Sequence, residues 1–238
     1  MIQQRLATKR KVKYNYGAYN KFNKTEQWIR ITEGCPHNCP YCYEPQKIKV
    51  FGIPEIVRNK VTIMDMNLLC KPEALDIIRE LGEKRVNGKV VYYELVCGID
   101  YRFLTDEIAI ALKRNRFGRF NKSGKWYLGV RIAWDWFMRD QYAIKDSINK
   151  LLKAGYKNRD IMIFMICNWK IPYEMNCEKL DLCKVWGVKV ADCYYDNQTF
   201  KTGVIPLFWN DEQNRTFKKK CRKHNQLVNF GIDPEVKL

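Results

Sequence analysis

"ITEGCPHNCPYCYEP" occupies residues 31–45 and brings Cys35, Cys39 and Cys42 together within eight residues. The residues ahead of it, EQWIRITEG (26–34), read as a short apolar strand, so the thiols fall in the loop that follows. In a parallel α/β sheet that loop lies at the carboxyl edge, where ligands bind. A structural zinc site wants four protein ligands. No fourth ligand is nearby except His37, which sits inside the loop and is strained as a co-ligand. An iron–sulfur cube takes one thiolate per iron, so three thiolates leave one iron open to a substrate or cofactor.

Outward from the loop, apolar runs recur. VTIMDMNLL (61–69), KVVYYELVCG (89–98), WYLGVRIAW (126–134), IMIFMICNW (161–169) and VKVADCYY (188–195) read as buried parallel strands. Amphipathic patterns separate them. Residues 71–85 carry Pro72 in a tolerant first turn, and 104–116 open on Thr105 as a cap. Residues 140–156 stop at Gly155, 173–187 stop at Gly187, and 211–228 form a basic last helix. The alternation predicts an α/β fold with right-handed crossovers, either an open partial barrel or a doubly wound sheet. Only eighteen residues separate Cys42 from Val61, too few for a comfortable crossover helix. The expected organisation is an arm over 1–25, a core domain over 26–210 and a C-terminal helix over 211–238.

CxxxCxxC after the first strand, with Tyr41 just before the last cysteine, resembles the radical S-adenosylmethionine superfamily. The resemblance implies a parallel six-stranded partial (βα)6 barrel. It implies a [4Fe-4S] cluster on Cys35, Cys39 and Cys42, with Tyr41 near the adenine of S-adenosylmethionine. It further implies one-electron cleavage of that cofactor to a 5′-deoxyadenosyl radical that takes a substrate hydrogen, and hence a reductant protein as partner. The family's Gly-Gly-Glu-like turn after the second strand is replaced here by MDMN, Met64 to Asn67, which leaves Asp65, Met66 and Asn67 as cofactor-binding candidates.

Strand alternation adds others. Leu128, Val130, Ile132 and Trp134 share one face; Gly129, Arg131, Ala133 and Asp135 share the other, which suits the interior. Arg131 and Asp135 then point toward cofactor or substrate, with Arg131 a partner for Asp135 or Glu94. Glu94, Asn168, Asp192 and Tyr194 end near the same rim; Asn168 joins the cofactor candidates, and Glu94, Asp135 and Tyr194 are the catalytic candidates. Cys177, Cys183 and Cys193 are too loosely spaced for a second cluster and read as buried thiols, as do Cys97 and Cys167 inside apolar runs. With only two histidines, His37 and His224, a Ser–His triad or hydrolytic metal site is disfavoured.

The 238-residue chain is 46 % hydrophobic, has 43 Lys and Arg against 26 Asp and Glu, and carries a formal charge of +17. Nothing in it reads as a membrane span or secretory signal, which points to the cytoplasm. Three basic segments hold the excess: residues 1–25, 113–125 and 215–224. Aromatics interleave the first two, a pattern that suits nucleic acid. The middle one should join a helix to a strand on the rim away from the thiols. A nucleic acid or nucleotide is therefore the leading substrate class. A peptide or small anionic metabolite is the alternative, and a non-catalytic, metal-stabilised nucleic-acid-binding module is the rival to an enzyme. Oligomeric state is not legible.

Overall fold

A computed structural model describes residues 20–21, 23–42, 44–167, 169–194 and 209–232. The strands are β1 Gln27–Ile29, β2 Thr32–Glu33, β3 Lys49–Val50, β4 Lys60–Ile63, β5 Arg85–Val86, β6 Lys89–Val90 and β7 Tyr92–Leu95. Then come β8 Ile99–Asp100, β9 Phe117–Phe120, β10 Trp126–Tyr127, β11 Val130–Ala133, β12 Ile161–Cys167 and β13 Lys189–Tyr194. Five α-helices are described, α1 Ala74–Glu83, α2 Asp106–Arg114, α3 Gln141–Lys153, α4 Tyr173–Trp186 and α5 Asp211–Phe230, beside four single 3-10 turns. No described helix is long and apolar enough to cross a membrane.

The fold is mixed α/β with two mainly parallel sheets. One runs β1-β4-β7-β9-β10, the other β13-β12-β11-β8, and only the β9–β10 pair is antiparallel. The helices stand where the periodicity puts them. The Thr105 side chain accepts from Ile108 N, and Gly187 closes α4 in the left-handed region at φ +64°. β12, almost continuously apolar, is central to its sheet, its Ile161, Ile163 and Met165 fully buried.

Three expected strands are broken, each for a visible reason. The run 26–34 splits because Ile31 and Thr32 leave the sheet: their N–H groups each donate to Asp65 at 2.8 Å, and β2 pairs instead with β3. This ribbon takes the place of a crossover helix. The run 89–98 stops at Gly98, φ +78°, so that β7 pairs with β4 and β9 while β8 pairs with β11. The run 126–134 divides near Gly129, with Trp126–Tyr127 turning back along β9.

Basic segment 113–125 is therefore no simple loop. Phe117 is buried and stacks on Tyr93 at 5.0 Å, so the segment enters the sheet as β9. The turn to β10 is tied by Asn121 Oδ1, which accepts from Ser123 N and Lys125 N. The amino-terminal arm through residue 19 lies outside the described residues, as do Asn168, 195–208 and 233–238.

Candidate active site

The thiol loop is clamped at its base. Arg30 Nη2 donates to both oxygens of buried Glu44 at 2.5 and 2.7 Å, and Glu44 Oε1 also accepts from Gly34 N at 2.6 Å. Lys71, buried, donates to the Gly34 carbonyl. Gly34 holds φ +95°, and a Cβ there would collide with the Lys47 carbonyl, so only glycine fits. Cys35 N donates to Pro45 O at 2.9 Å and closes the loop on itself.

Above the clamp lies an open cavity. Its walls come from segments that follow β2, β4, β7, β8 and β11, the carboxyl-edge position that ligands use in parallel sheets. Cys35, Cys39 and Cys42 all line it, with Tyr41, Met66, Asn67 and Asp135. Tyr41 packs on Trp136 at 5.4 Å and edge-on to Trp169 at 5.6 Å, and its hydroxyl donates to Asp135 Oδ2 at 2.8 Å. Loop and β11 are thereby joined. Asn67 Nδ2 donates to Asp100 Oδ2 at 2.9 Å, and its buried Oδ1 has no protein partner.

Other expected site residues lie elsewhere. Asp65 is spent on Ile31 N, Thr32 N and Thr32 Oγ1 and does not line the cavity. Arg131 pairs with Glu94 at 2.7 Å, the internal pair anticipated, and both stand apart from the thiol cavity. Tyr194 donates to Asn214 O at 2.9 Å, and half-buried Asp192 is not among the lining residues either. Strand alternation is right about the faces, but Arg131 sits too far back along β11 to share Asp135's cavity.

Several cavity residues escape a reading by strands. Asp100 is buried and accepts from Arg102 Nε at 2.7 Å, with His37 Nε2 2.6 Å from its other oxygen. Burial pushes its carboxyl up, but the Arg102 contacts and the His37 side outweigh this and hold it below the usual range. Cys97 also lines the cavity, its sulfur 3.3 Å from Met66 Sδ, and burial pushes that thiol up to about 12. The expectation of Cys97 as a core thiol is thus corrected, because the break at Gly98 turns it to the rim. Fully buried Lys179 stands behind Asp135, donates to Trp134 O at 3.1 Å, and is pulled down to about 8 by burial.

The loop thiols differ in electrostatics. Cys35 is lowered to about 5, chiefly by a hydrogen bond from Cys70 behind the loop and against a burial penalty. Cys39 is raised by burial, and Cys42 is raised to about 11 by the same cause. Among the described residues no three His, Cys, Asp or Glu side chains converge as the ligands of one ion do. A cube makes a different demand, one thiolate on each of several separate irons. Three cysteines distributed round one cavity, with His37 engaged by Asp100, fit that donor chemistry.

No protein-family model matches the chain, and no curated protein matches it. Solved structures do. One is a radical S-adenosylmethionine methyltransferase, TsrM, from Kitasatospora setae with tryptophan substrate and a SAM analog bound: TM-score 0.52, 12 % identity, 76 % of this chain and 38 % of that one. TsrM with cobalamin and a [4Fe-4S] cluster bound gives TM-score 0.51 and 12 % identity over 70 % of this chain and 36 % of that one. The likeness is one of fold, and this chain spans little more than a third of those structures.

Proposed function

We propose that this chain is a radical S-adenosylmethionine enzyme. The observation that carries the reading is that Cys35, Cys39 and Cys42, spaced CxxxCxxC after the first strand, all line one carboxyl-edge cavity. The fold it shares with a radical SAM methyltransferase supports it, and we read the two sheets as a six-position partial (βα)6 barrel parted at the third strand. The three cysteines would hold a [4Fe-4S] cluster, which when bound supplies an electron for reductive cleavage of S-adenosylmethionine to a 5′-deoxyadenosyl radical. Tyr41 and Trp136 offer an aromatic wall for the adenine. Asn67 Oδ1 is an acceptor suited to the cofactor ammonium, and Arg102 a cation suited to its carboxylate. Of the catalytic candidates Glu94, Asp135 and Tyr194, Asp135 is the one that lines the thiol cavity, held by Tyr41 and backed by Lys179.

The test is anaerobic reconstitution followed by reductant and S-adenosylmethionine. Formation of 5′-deoxyadenosine is expected. Stoichiometric zinc with no cofactor cleavage would overturn the reading in favour of a metal-stabilised binding module.

For substrate we favour a nucleic acid or nucleotide. α5 exposes Arg215, Lys218, Lys219, Lys220, Arg222 and Lys223, and among the described residues no carboxylate pairs with any of them. Retention on RNA or DNA should fall steeply with salt and weaken in the Lys218→Ala/Lys219→Ala variant. Salt-insensitive behaviour without retention would favour the small anionic metabolite.

A further inference from the structure

A second, smaller pocket lies in the seam where β7 and β9 part from β8 and β11. Three glycines line it, Gly98, Gly118 and Gly129. A Cβ on Gly118 would strike the Tyr127 carbonyl, and one on Gly129 would come within 3.3 Å of Arg119 Cδ. Bare backbone at the three glycines forms part of the wall, apolar side chains such as Leu95, Ile99 and Val130 another part, and Arg119, Arg131 and Tyr156 bring the polar groups.

Those polar groups are almost all donors. Arg119, Arg131 and Tyr156 line the cavity. Arg119 Nε, Arg131 Nε and the Tyr156 hydroxyl are buried, and none has a protein hydrogen-bond partner. Tyr156 is 3 % exposed. A buried donor left unmade is costly, and three beside one cavity is a concentration that calls for a shared acceptor.

The charge balance points the same way. Glu94 is the carboxylate that faces the two guanidinium groups, 2.7 Å from Arg131 and 3.9 Å from Arg119. Its second oxygen already accepts from Phe120 N at 2.8 Å. Lys189 adds a third cation, depressed first by burial and then by Arg119, with Asp160 opposing them. Burial and then Arg119 likewise pull Arg131 down. Cations packed this way repel unless an anion joins them.

We infer that the seam is an oxyanion site, taking a phosphate group on Arg119, Arg131 and Tyr156. Guanidinium and phenol donors arranged about a small cavity match the several acceptors of a tetrahedral phosphate. Gly98 and Ile99 line both this cavity and the thiol cavity, so the two sites adjoin. Only one further step rests on the proposed function: that the phosphate belongs to the substrate of the thiol cavity, as a nucleotide's would.

The test uses the full chain without a cluster, at constant ionic strength, with inorganic phosphate followed by calorimetry and thermal shift. Saturable binding is expected, weakened about tenfold or more in Arg119→Gln and about threefold or more in Tyr156→Phe. Arg79→Ala, which removes an exposed cation of α1, should bind phosphate as the parent does. Tyr156→Phe keeps the volume and supplies the answer if Arg119→Gln does not fold. Absence of saturable binding, meaning the seam holds water alone, would overturn the site. So would binding that ignores both seam variants or disappears in Arg79→Ala. Because no cluster is needed, failure here leaves 5′-deoxyadenosine formation untouched, and the converse also holds.

Discussion

Two groups of cysteines have opposite surroundings. Cys35, Cys39 and Cys42 are half-buried round a cavity, with His37, Asn67 and Asp135 about them. Cys167, Cys183 and Cys221 are fully buried between β12, α4 and α5, and burial alone is enough to push each thiol far up. Half-buried Cys193 is raised to about 12 by the same cause. None of Cys167, Cys183 and Cys221 lines the thiol cavity. Placement outweighs number: a thiol at an open face can reach a ligand, and a thiol in an apolar layer behaves as a small hydrophobe.

The largest effect should come from exchanging alanine between the populations. Cys39→Ala is expected to abolish cluster loading, read as loss of visible absorbance and bound iron, with the fold intact. Cys183→Ala should load fully and lose about 1 kcal/mol of stability to the small cavity it leaves. Equal loading in both variants would dissolve the distinction.

Next in size is the clamp that aims the first group. Gly34→Ala forces a side chain into the left-handed region and onto the Lys47 carbonyl, so a loss above about 2 kcal/mol and defective loading are expected. Gly52→Ala is its control. Gly52 has a comparable φ, +88°, but open space where a Cβ would go, so only the backbone penalty of about 1–2 kcal/mol should appear. Chemical denaturation of the pair separates strain from collision.

These contrasts explain what the sequence reveals and what it hides. Helices are legible because each marks its own ends, as Thr105 and Gly187 do, and β12 because an unbroken apolar run has one reading. The loop thiols, Tyr41, Met66, Asn67 and Asp135 are legible because each follows a strand. The breaks at Gly98 and Gly129 are not, since a glycine inside an apolar run continues or ends a strand according to what packs beside it. With the break at Gly98 go Cys97, Asp100 and Arg102, whose places depend on where that strand stops. β9 is disguised by its charges: Arg119 turns inward toward Glu94, where a basic run suggests solvent. Lys179 is hidden likewise, since on an amphipathic helix a lysine reads as exposed, whereas here it is fully buried with its Nζ 5.3 Å from the centroid of the Trp134 ring.

Cys97 sharpens the boundary between the populations, because it lines the thiol cavity yet comes from an apolar strand. If it belongs with the hydrophobic group, Cys97→Ala keeps cluster loading and 5′-deoxyadenosine formation and costs about 1 kcal/mol. Gain of cofactor cleavage in this variant, over a parent that binds iron but cleaves none, would make Cys97 a fourth ligand that closes the open position on which the proposed chemistry depends.

The smallest effect belongs to the buried side and is read by pH. His224, on α5 one turn from Cys221, is 2 % exposed, and its Nε2 lies 2.7 Å from the Val188 carbonyl. That contact makes Nε2 the proton carrier and leaves Nδ1, buried and without a partner, as the atom a second proton would need. Burial therefore lowers the histidine, the Val188 carbonyl opposes this, and the Lys184 charge adds to it. A base lowered on folding binds its proton more readily in the unfolded chain. Its contribution is complete above about pH 6.5, the unfolded value, and is lost as pH falls toward the folded one. One such group sets a slope no steeper than about 1.4 kcal/mol per pH unit. His224→Gln keeps a donor for Val188 and removes the proton, so unfolding measured from pH 7 to 5 should show a shallower loss of stability in the variant. An unchanged slope would mean that water reaches Nδ1, and that the layer around Cys221 is wetter than the contrast with the loop thiols requires.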